Sequence, residues 1–179
     1  GALALLTLLA AGAVTSARAQ GNDDCLACHG DKGLTKKRAG KTVSLFVDEG
    51  RFKASVHGKA SCIDCHADLK GKDLPHDETL KPSVCRSCHP KEVAQHDNSL
   101  HGKAIARGDA LAPRCVNCHG NHEIVPRSDP RSPVLPGRIP YLCGKCHSEG
   151  GRVQKEREIH QSNIINNYTE SIHGDALMN

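Results

Sequence analysis

The sequence has very few of the large side chains that fill an ordinary protein interior. Among its 179 residues there are no tryptophans, two phenylalanines, two tyrosines and one methionine, so aromatic residues make up only 2%. Much of its hydrophobic content lies in a single alanine- and leucine-rich run near the N-terminus, residues 2–14. The remainder is poorer in apolar residues than a typical globular domain. An ordinary hydrophobic core is therefore excluded, and something other than side chains must fill the interior.

The N-terminal run is typical of a secretory signal peptide. The apolar stretch Ala2–Val14 is followed by small residues at Ala17 and Ala19, a pattern that fits cleavage before Gln20. The run is shorter than the roughly 20 apolar residues that a membrane-spanning helix needs. We expect residues 1–19 to be part of a signal peptide and residues 20–179 to form an exported domain with no membrane span, in the periplasm or outside the cell.

Cysteine, by contrast, is abundant and strictly arranged. All ten cysteines belong to five copies of the pattern C-x-x-C-H, with none left over. The copies, numbered motifs 1 to 5 in chain order, are Cys25–His29, Cys62–His66, Cys85–His89, Cys115–His119 and Cys143–His147. One such pattern indicates covalent haem attachment, and five in one exported chain indicate it strongly.

The spacing suits haem c chemically. Two thiols three positions apart on one turn can each add to a vinyl group of the same haem, and the next residue then directs an imidazole at the iron. Zinc and disulfides are the alternatives, but four-cysteine zinc sites use the motifs in twos and leave the histidine unexplained. We expect five haems, held by two cysteines each: Cys25 and Cys28, Cys62 and Cys65, Cys85 and Cys88, Cys115 and Cys118, Cys143 and Cys146. The expected proximal ligands are His29, His66, His89, His119 and His147.

The opposite face of each iron needs a second ligand. The single methionine, Met178, stands next to the end of the chain, which favours histidine at all five positions. Three of the seven spare histidines share a repeat, S-x-H-G-x-A, and these are His57, His101 and His173. We expect them to be distal ligands, and we expect the glycine to let the backbone approach a flat porphyrin.

The remaining spare histidines are ranked by their surroundings. His122 follows His119 too closely to reach the far side of the same haem, so it should serve a neighbouring one. His76, in a Leu-Pro-His turn, is the fifth expected distal ligand. His96 stands five residues before a repeat histidine, where the other copies have Phe52 and Tyr168, which favours a packing role. His160 is expected at the surface.

Regular secondary structure should be sparse, with a few helices around stacked haems and little or no sheet. Apolar spacing predicts one helix over 91–107 carrying His101 and another over 153–176 carrying His173. Five of the nine prolines fall within 126–140, which must be extended or turning. Residues 41–47 alternate enough to suggest a strand. Because the first two S-x-H-G-x-A copies precede a C-x-x-C-H motif and the third does not, we expect the natural protein to continue into a further haem motif.

The five motifs and the spare histidines in S-x-H-G and C-H-G-x-H settings resemble the multihaem c-type cytochromes of bacterial respiration. The group is similar to class III cytochromes and to periplasmic or extracellular electron conduits. The resemblance implies closely packed, low-spin, bis-histidine haems that relay electrons. It also implies redox partners, such as a quinol-linked membrane cytochrome, a terminal reductase or an extracellular acceptor.

Other functional classes are less consistent with the sequence. A formal charge of +4 might suggest nucleic acid, but export and the lack of aromatics among the basic residues argue against it. A fragment of a reductase acting on nitrite, hydroxylamine or a sulfur oxyanion needs a haem with an open position, often marked by C-x-x-C-K, and all five motifs are plain. A homo-oligomer or cytochrome filament, in which a neighbouring subunit lends a histidine, is a third possibility. An electron carrier rather than an enzyme is the expectation.

Overall fold

The computed structural model describes residues 21–77, 79–157 and 163–178. The expected signal peptide and His160 lie outside these ranges. Within them the chain forms short helices joined by turns, together with one hairpin, which confirms a mostly irregular helical fold with little sheet. The helices are α1 Asn22–His29, α2 Glu49–Lys53, α3 Cys62–Cys65, α4 Pro90–Asn98, α5 Leu100–Ala106, α6 Cys115–His119, α7 Ile139–His147, α8 Arg152–Glu156, α9 Ile164–Thr169 and α10 Ile172–Met178. Single 3-10 turns cover Ala67–Leu69 and Pro136–Arg138.

The hairpin follows motif 1. Strands β1 (Thr35–Arg38) and β2 (Lys41–Ser44) pair antiparallel, with Thr35 opposite Ser44. Ala39 and Gly40 form the two-residue connection, and both have positive φ, of 48° and 75°. Such a turn matches the right-handed twist of paired strands. The strand predicted over 41–47 is confirmed for its first four residues.

The two long helices predicted from apolar spacing were wrong as continuous elements. The helix expected over 91–107 is divided into α4 and α5 at Ser99, whose backbone is extended (ψ 169°). The Ser99 hydroxyl accepts a hydrogen bond from the Gly102 amide at 3.1 Å and donates one to the His96 carbonyl at 2.6 Å. Serine therefore starts a new helix here, because its side chain satisfies an amide that a helix N-terminus leaves unpaired.

The same corner recurs near the C-terminus. The helix expected over 153–176 is replaced by α8, α9 and α10, with residues 158–162 outside the description. Ser171 begins α10 as Ser99 begins α5, accepting from the Gly174 amide at 3.1 Å and donating to the Tyr168 carbonyl at 2.6 Å. The S-x-H-G repeat is thus a helix–serine–helix corner in its second and third copies, and it places the histidine in the first turn of the new helix.

The glycine of the repeat has a different purpose from the one predicted. A β-carbon on Gly102 would collide with the backbone of His96 and Asp97, and one on Gly174 would collide with the backbone of Tyr168 and Thr169. Both glycines are buried. The close approach that requires glycine is therefore to the preceding helix across the corner.

The described residues contain almost no side-chain core. The fully buried positions are small or cyclic, and the largest fully buried side chain is Ser132. Helix α7 packs on α9 where Gly144 leaves room for Ile165. The proline-rich stretch is turning, as predicted, and Pro140 within it is buried. None of the helices in the described ranges has the length and apolar character needed to span a bilayer.

Candidate functional site

Each C-x-x-C-H motif lies on a single tight turn. Motifs 1, 2, 4 and 5 lie on α1, α3, α6 and α7, and motif 3 forms an unextended turn closed by the His89 amide on the Cys85 carbonyl at 2.9 Å. In motif 2 the His66 amide bonds the Cys62 carbonyl at the same distance. All ten cysteines are free thiols, none fully buried. Two thiols and an imidazole therefore share one side of a short turn, as attachment to one haem requires.

Four motif histidines each face a spare histidine that is distant in sequence. The ring centres of His29 and His76 lie 6.0 Å apart with planes at 6°, and those of His57 and His89 lie 6.0 Å apart at 72°. The remaining two pairs, both with ring centres 6.2 Å apart, are His66 with His122 and His101 with His147. Every ring pair among the described residues joins one motif histidine to one spare histidine.

The spacing of these pairs fits a metal ion between two imidazoles. A metal–nitrogen bond to histidine is about 2 Å long. An ion bound to one nitrogen of each ring therefore keeps the ring centres about 6 Å apart, too far for direct packing of the rings and suited to coordination. In the described ranges no group of three histidine, cysteine, aspartate or glutamate side chains could hold a metal ion, which is the arrangement that a zinc site needs. Paired imidazoles instead fit a group that brings its own equatorial ligands, as haem does.

Hydrogen bonds orient the rings at motif 1. The Nδ1 atom of His29 lies 2.8 Å from the Leu45 carbonyl, and Nδ1 of His76 lies 2.8 Å from the Asp77 carbonyl. An Nδ1–H that donates to a carbonyl leaves Nε2 with its lone pair free for a metal. At motif 2, Nδ1 of His66 is buried without a partner in the described structure.

Burial keeps several of these imidazoles neutral. It lowers the pKa of His66 and His122, which face each other, and the pKa of His101. In each case desolvation disfavours the charged ring, and the neighbouring histidines disfavour it further. Neutral imidazole is the form that binds metal.

Motif 4 differs from the other four. His119 is exposed, and among the described residues no imidazole faces it. His173 is also exposed and is in none of the ring pairs. In the two assembled repeat copies, the partner of the S-x-H-G histidine lies later in the chain, as His89 does for His57. His119 precedes His173, so this pair would not repeat that arrangement.

His96 is engaged elsewhere. Its Nε2 lies 3.1 Å from the carbonyl of Pro113, and the ring is half-buried. A carbonyl accepts only, so Nε2 carries the proton and has no lone pair for a metal. The packing role predicted from its register with Phe52 and Tyr168 is therefore accompanied by a hydrogen bond that the sequence did not indicate.

Consecutive motifs are neighbours in space. Burial and the adjacent Cys25 thiol raise the pKa of the Cys62 thiol to about 11, and burial and the adjacent Cys115 thiol raise that of Cys85. Burial is also the main cause at Cys65 and Cys118, with smaller contributions from Cys88 of motif 3 and Cys143 of motif 5, respectively. Thiols with raised pKa values are protonated at neutral pH, unlike metal-binding or redox-active thiolates. The five motifs thus follow one another through the molecule in the order in which they occur in the chain.

Exposed apolar side chains stand beside the repeat histidines. Val56, Leu100 and Ile172, each immediately before the histidine of an S-x-H-G copy, are 51%, 85% and 87% exposed. Large apolar side chains at such exposure indicate a surface that something apolar covers. A porphyrin held by the adjacent histidine fits this requirement.

The chain was compared with known proteins. It is 29% identical over 131 residues to the multihaem cytochrome MtrA of Shewanella baltica (strain OS185). The chain is similar to a multihaem cytochrome. The match covers 72% of this chain and 32% of the relative, so the chain spans about a third of that protein's length. No protein-family model and no solved structure matches it. The similarity supports a multihaem cytochrome family, haem c as cofactor, and electron transfer.

Proposed function

We propose that this chain is an exported pentahaem cytochrome c that relays electrons between redox partners in the periplasm or outside the cell. The observation that carries the proposal is the set of four histidine pairs, each joining a C-x-x-C-H histidine to a spare one at 6.0–6.2 Å. Chance contacts would also pair spare histidines with one another or motif histidines with one another. The similarity to a multihaem cytochrome supports the same conclusion.

The chain's residues divide the work of holding each haem. The two cysteines of a motif form thioethers, and the motif histidine and one distal histidine bind the iron from opposite faces. We assign the distal positions to His76 for motif 1, His122 for motif 2, His57 for motif 3, His101 for motif 5 and, as the remaining repeat histidine, His173 for motif 4. A haem with two imidazole ligands exchanges one electron and has no open position for a substrate.

The order of the motifs supports a linear route. Thiol neighbours join motif 1 to 2, 2 to 3, 3 to 4 and 4 to 5. A chain that holds five redox groups in sequence order suits passage from one end to the other. The partners are other redox proteins at the two ends, which we assign by class as a membrane-linked electron donor and a terminal reductase or extracellular acceptor.

Intact mass and the visible spectrum test the proposal together. The protein is produced with an export signal in a host that has a cytochrome c maturation system, and the same gene is expressed in a host without one as the control. We expect a mass increased by five haems and a low-spin reduced spectrum from the first host. From the second we expect a largely unfolded chain, because the described residues bury no large side chain that could form a core.

Other outcomes would redirect the assignment. A mass equal to the polypeptide alone from the maturation-competent host would overturn it. Five haems together with carbon monoxide binding to the wild-type reduced protein would favour the reductase alternative, since the iron then has an open position. A sedimentation coefficient that grows with protein concentration would favour assembly into a filament.

A further inference from the structure

Two side chains outside the haem motifs bind the same backbone position in two different places. Nδ2 of Asn22, the first residue of α1, donates to the Ala60 carbonyl at 3.1 Å, and Oδ1 of Asn22 accepts from the Cys62 amide at 2.8 Å. Ala60 is the second residue before the first cysteine of motif 2. Pro113, whose carbonyl accepts from His96 Nε2 at 3.1 Å, is the second residue before the first cysteine of motif 4.

Each of these side chains belongs to the helix of the preceding motif. Asn22 lies on α1, which carries motif 1, and His96 lies on α4, which starts immediately after His89 of motif 3. The contacts therefore cross from motif 1 to motif 2 and from motif 3 to motif 4. At these two junctions the first cysteines also form thiol–thiol hydrogen bonds, Cys25 with Cys62 and Cys85 with Cys115.

The other two junctions are built differently. Between motifs 2 and 3 the contact is a backbone hydrogen bond from the Val84 amide to the Cys65 carbonyl at 3.0 Å. Between motifs 4 and 5 the Cys118 and Cys143 thiols are close enough to influence each other electrostatically. The side-chain ties thus occur at alternate junctions of the described structure.

We propose that Asn22 and His96 are positioning residues that fix the spacing of haem attachment at motifs 1 and 2 and at motifs 3 and 4. The inference rests on the proposed function, because it concerns the distance between groups that these motifs hold. Neither residue binds a haem iron. Each instead holds the backbone at which the next attachment turn begins, so that two successive attachment sites move as one unit.

The chain itself suggests the decisive variant of His96. Phe52 and Tyr168 occupy the same place in the other repeat copies, so H96F keeps a ring that this register accepts and removes only the donor. H96Q is the matched rescue, because its amide nitrogen can replace Nε2 as the donor. At the other junction N22A removes both hydrogen bonds, whereas N22D keeps the acceptor for Cys62 and loses the donor for Ala60.

The measurements are made on the oxidised protein carrying its haems. We expect H96F to retain five haems and a low-spin spectrum. Amide hydrogen exchange in Cys115–His119 should become about five-fold faster, the factor that corresponds to about 1 kcal/mol for one hydrogen bond. The electron paramagnetic resonance signal of the coupled haems at motifs 3 and 4 should also change, and H96Q should restore both readouts. N22A should act in the same way on Cys62–Cys65 and leave motif 4 unaltered, with N22D intermediate.

Two results would overturn the inference. The first is an H96F protein whose exchange rates and magnetic coupling equal those of the wild type. The second is an H96F protein with one high-spin haem, since His96 would then be a ligand. Haem content separates these failures from failure of the proposed function: a wild-type protein without five haems contradicts the function, whereas five haems with unaltered variants contradict only the positioning role.

Discussion

Motif 1 and motif 4 share the pattern C-x-x-C-H, yet the structure surrounds their histidines differently. His29 is half-buried, its Nδ1 lies 2.8 Å from the Leu45 carbonyl, and His76 faces it at 6.0 Å. His119 is exposed and has no facing imidazole among the described residues. The attachment pattern therefore does not determine how the other side of the site is closed.

The difference follows from where the second histidine originates. Cysteines and proximal histidine lie within five residues, so a single helical turn brings them together. The distal histidine comes from a remote segment, whose position depends on other contacts. At motif 2, for example, His122 is held near its partner because the Val56 amide bonds the Ile124 carbonyl at 2.8 Å and Arg51 pairs with Glu123 at 3.0 Å.

Removing the distal histidine of motif 1 should have the largest effect. We expect H76A to convert one of five haems from low spin to high spin, because one iron loses an axial ligand that no nearby side chain replaces. The reduced protein should then bind about one carbon monoxide per chain, measured by optical titration. The control H96F should bind none, and an H76A protein that stays fully low-spin would contradict the pairing of His29 with His76.

The corresponding change at motif 4 tests whether the contrast between the two motifs is real. If His173 is the distal ligand of motif 4, H173A gives one high-spin haem, as H76A does, and the two motifs are functionally alike. This is the outcome we expect, and the same carbon monoxide titration measures it. A fully low-spin H173A protein would show that another group closes motif 4.

Replacing the corner glycine should have an intermediate effect. Alanine normally favours a helix over glycine by about 0.5–1 kcal/mol, but a β-carbon at Gly102 meets the backbone of His96 and Asp97, which cannot move aside cheaply. We expect G102A to destabilise the folded protein by about 2 kcal/mol, measured by thermal unfolding. Gly137 has open space around it, so G137A should change stability by less than about 0.5 kcal/mol. Equal effects of the two variants would refute the corner geometry.

The smallest effect is expected in the loop between motifs 4 and 5. Hydrogen bonds from the Arg131 side chain and amide lower the pKa of Asp129 to about 2. A carboxylate with a lowered pKa in the folded state stabilises it above its ordinary pKa, 3.8, and this contribution is lost as the pH falls toward 2. The stability difference between wild type and D129N should therefore shrink between about pH 4 and pH 2, in thermal melts across that range. A difference that is constant with pH would exclude this carboxylate as the cause.

Sequence reasoning succeeded where the signal is local. The sparse, mostly helical fold follows from the lack of large apolar residues, and the strand at Lys41 follows from alternation. It failed for the helix over 91–107, although the signal was present. Ser99 is a preferred residue for starting a helix, and the apolar spacing across it concealed the break.

The partners of the motif histidines were beyond such reasoning. Nothing near His57 indicates that His89, rather than His66, faces it, because the choice depends on backbone contacts between distant segments. The length of the tether did indicate that His122 would face a motif other than its own, and the structure places it opposite His66. The hydrogen bond of His96 to Pro113 left no trace in the sequence pattern.

The crossing of His122 back to motif 2 has a consequence for biosynthesis. A chain that crosses a membrane N-terminus first delivers His66 well before its partner, so the second attachment site stays half-built until the fourth has emerged. Excising the fourth unit would equally strip the second of its cap. The units are therefore interlocked like links rather than threaded like beads, and none can be lost or duplicated without disturbing another.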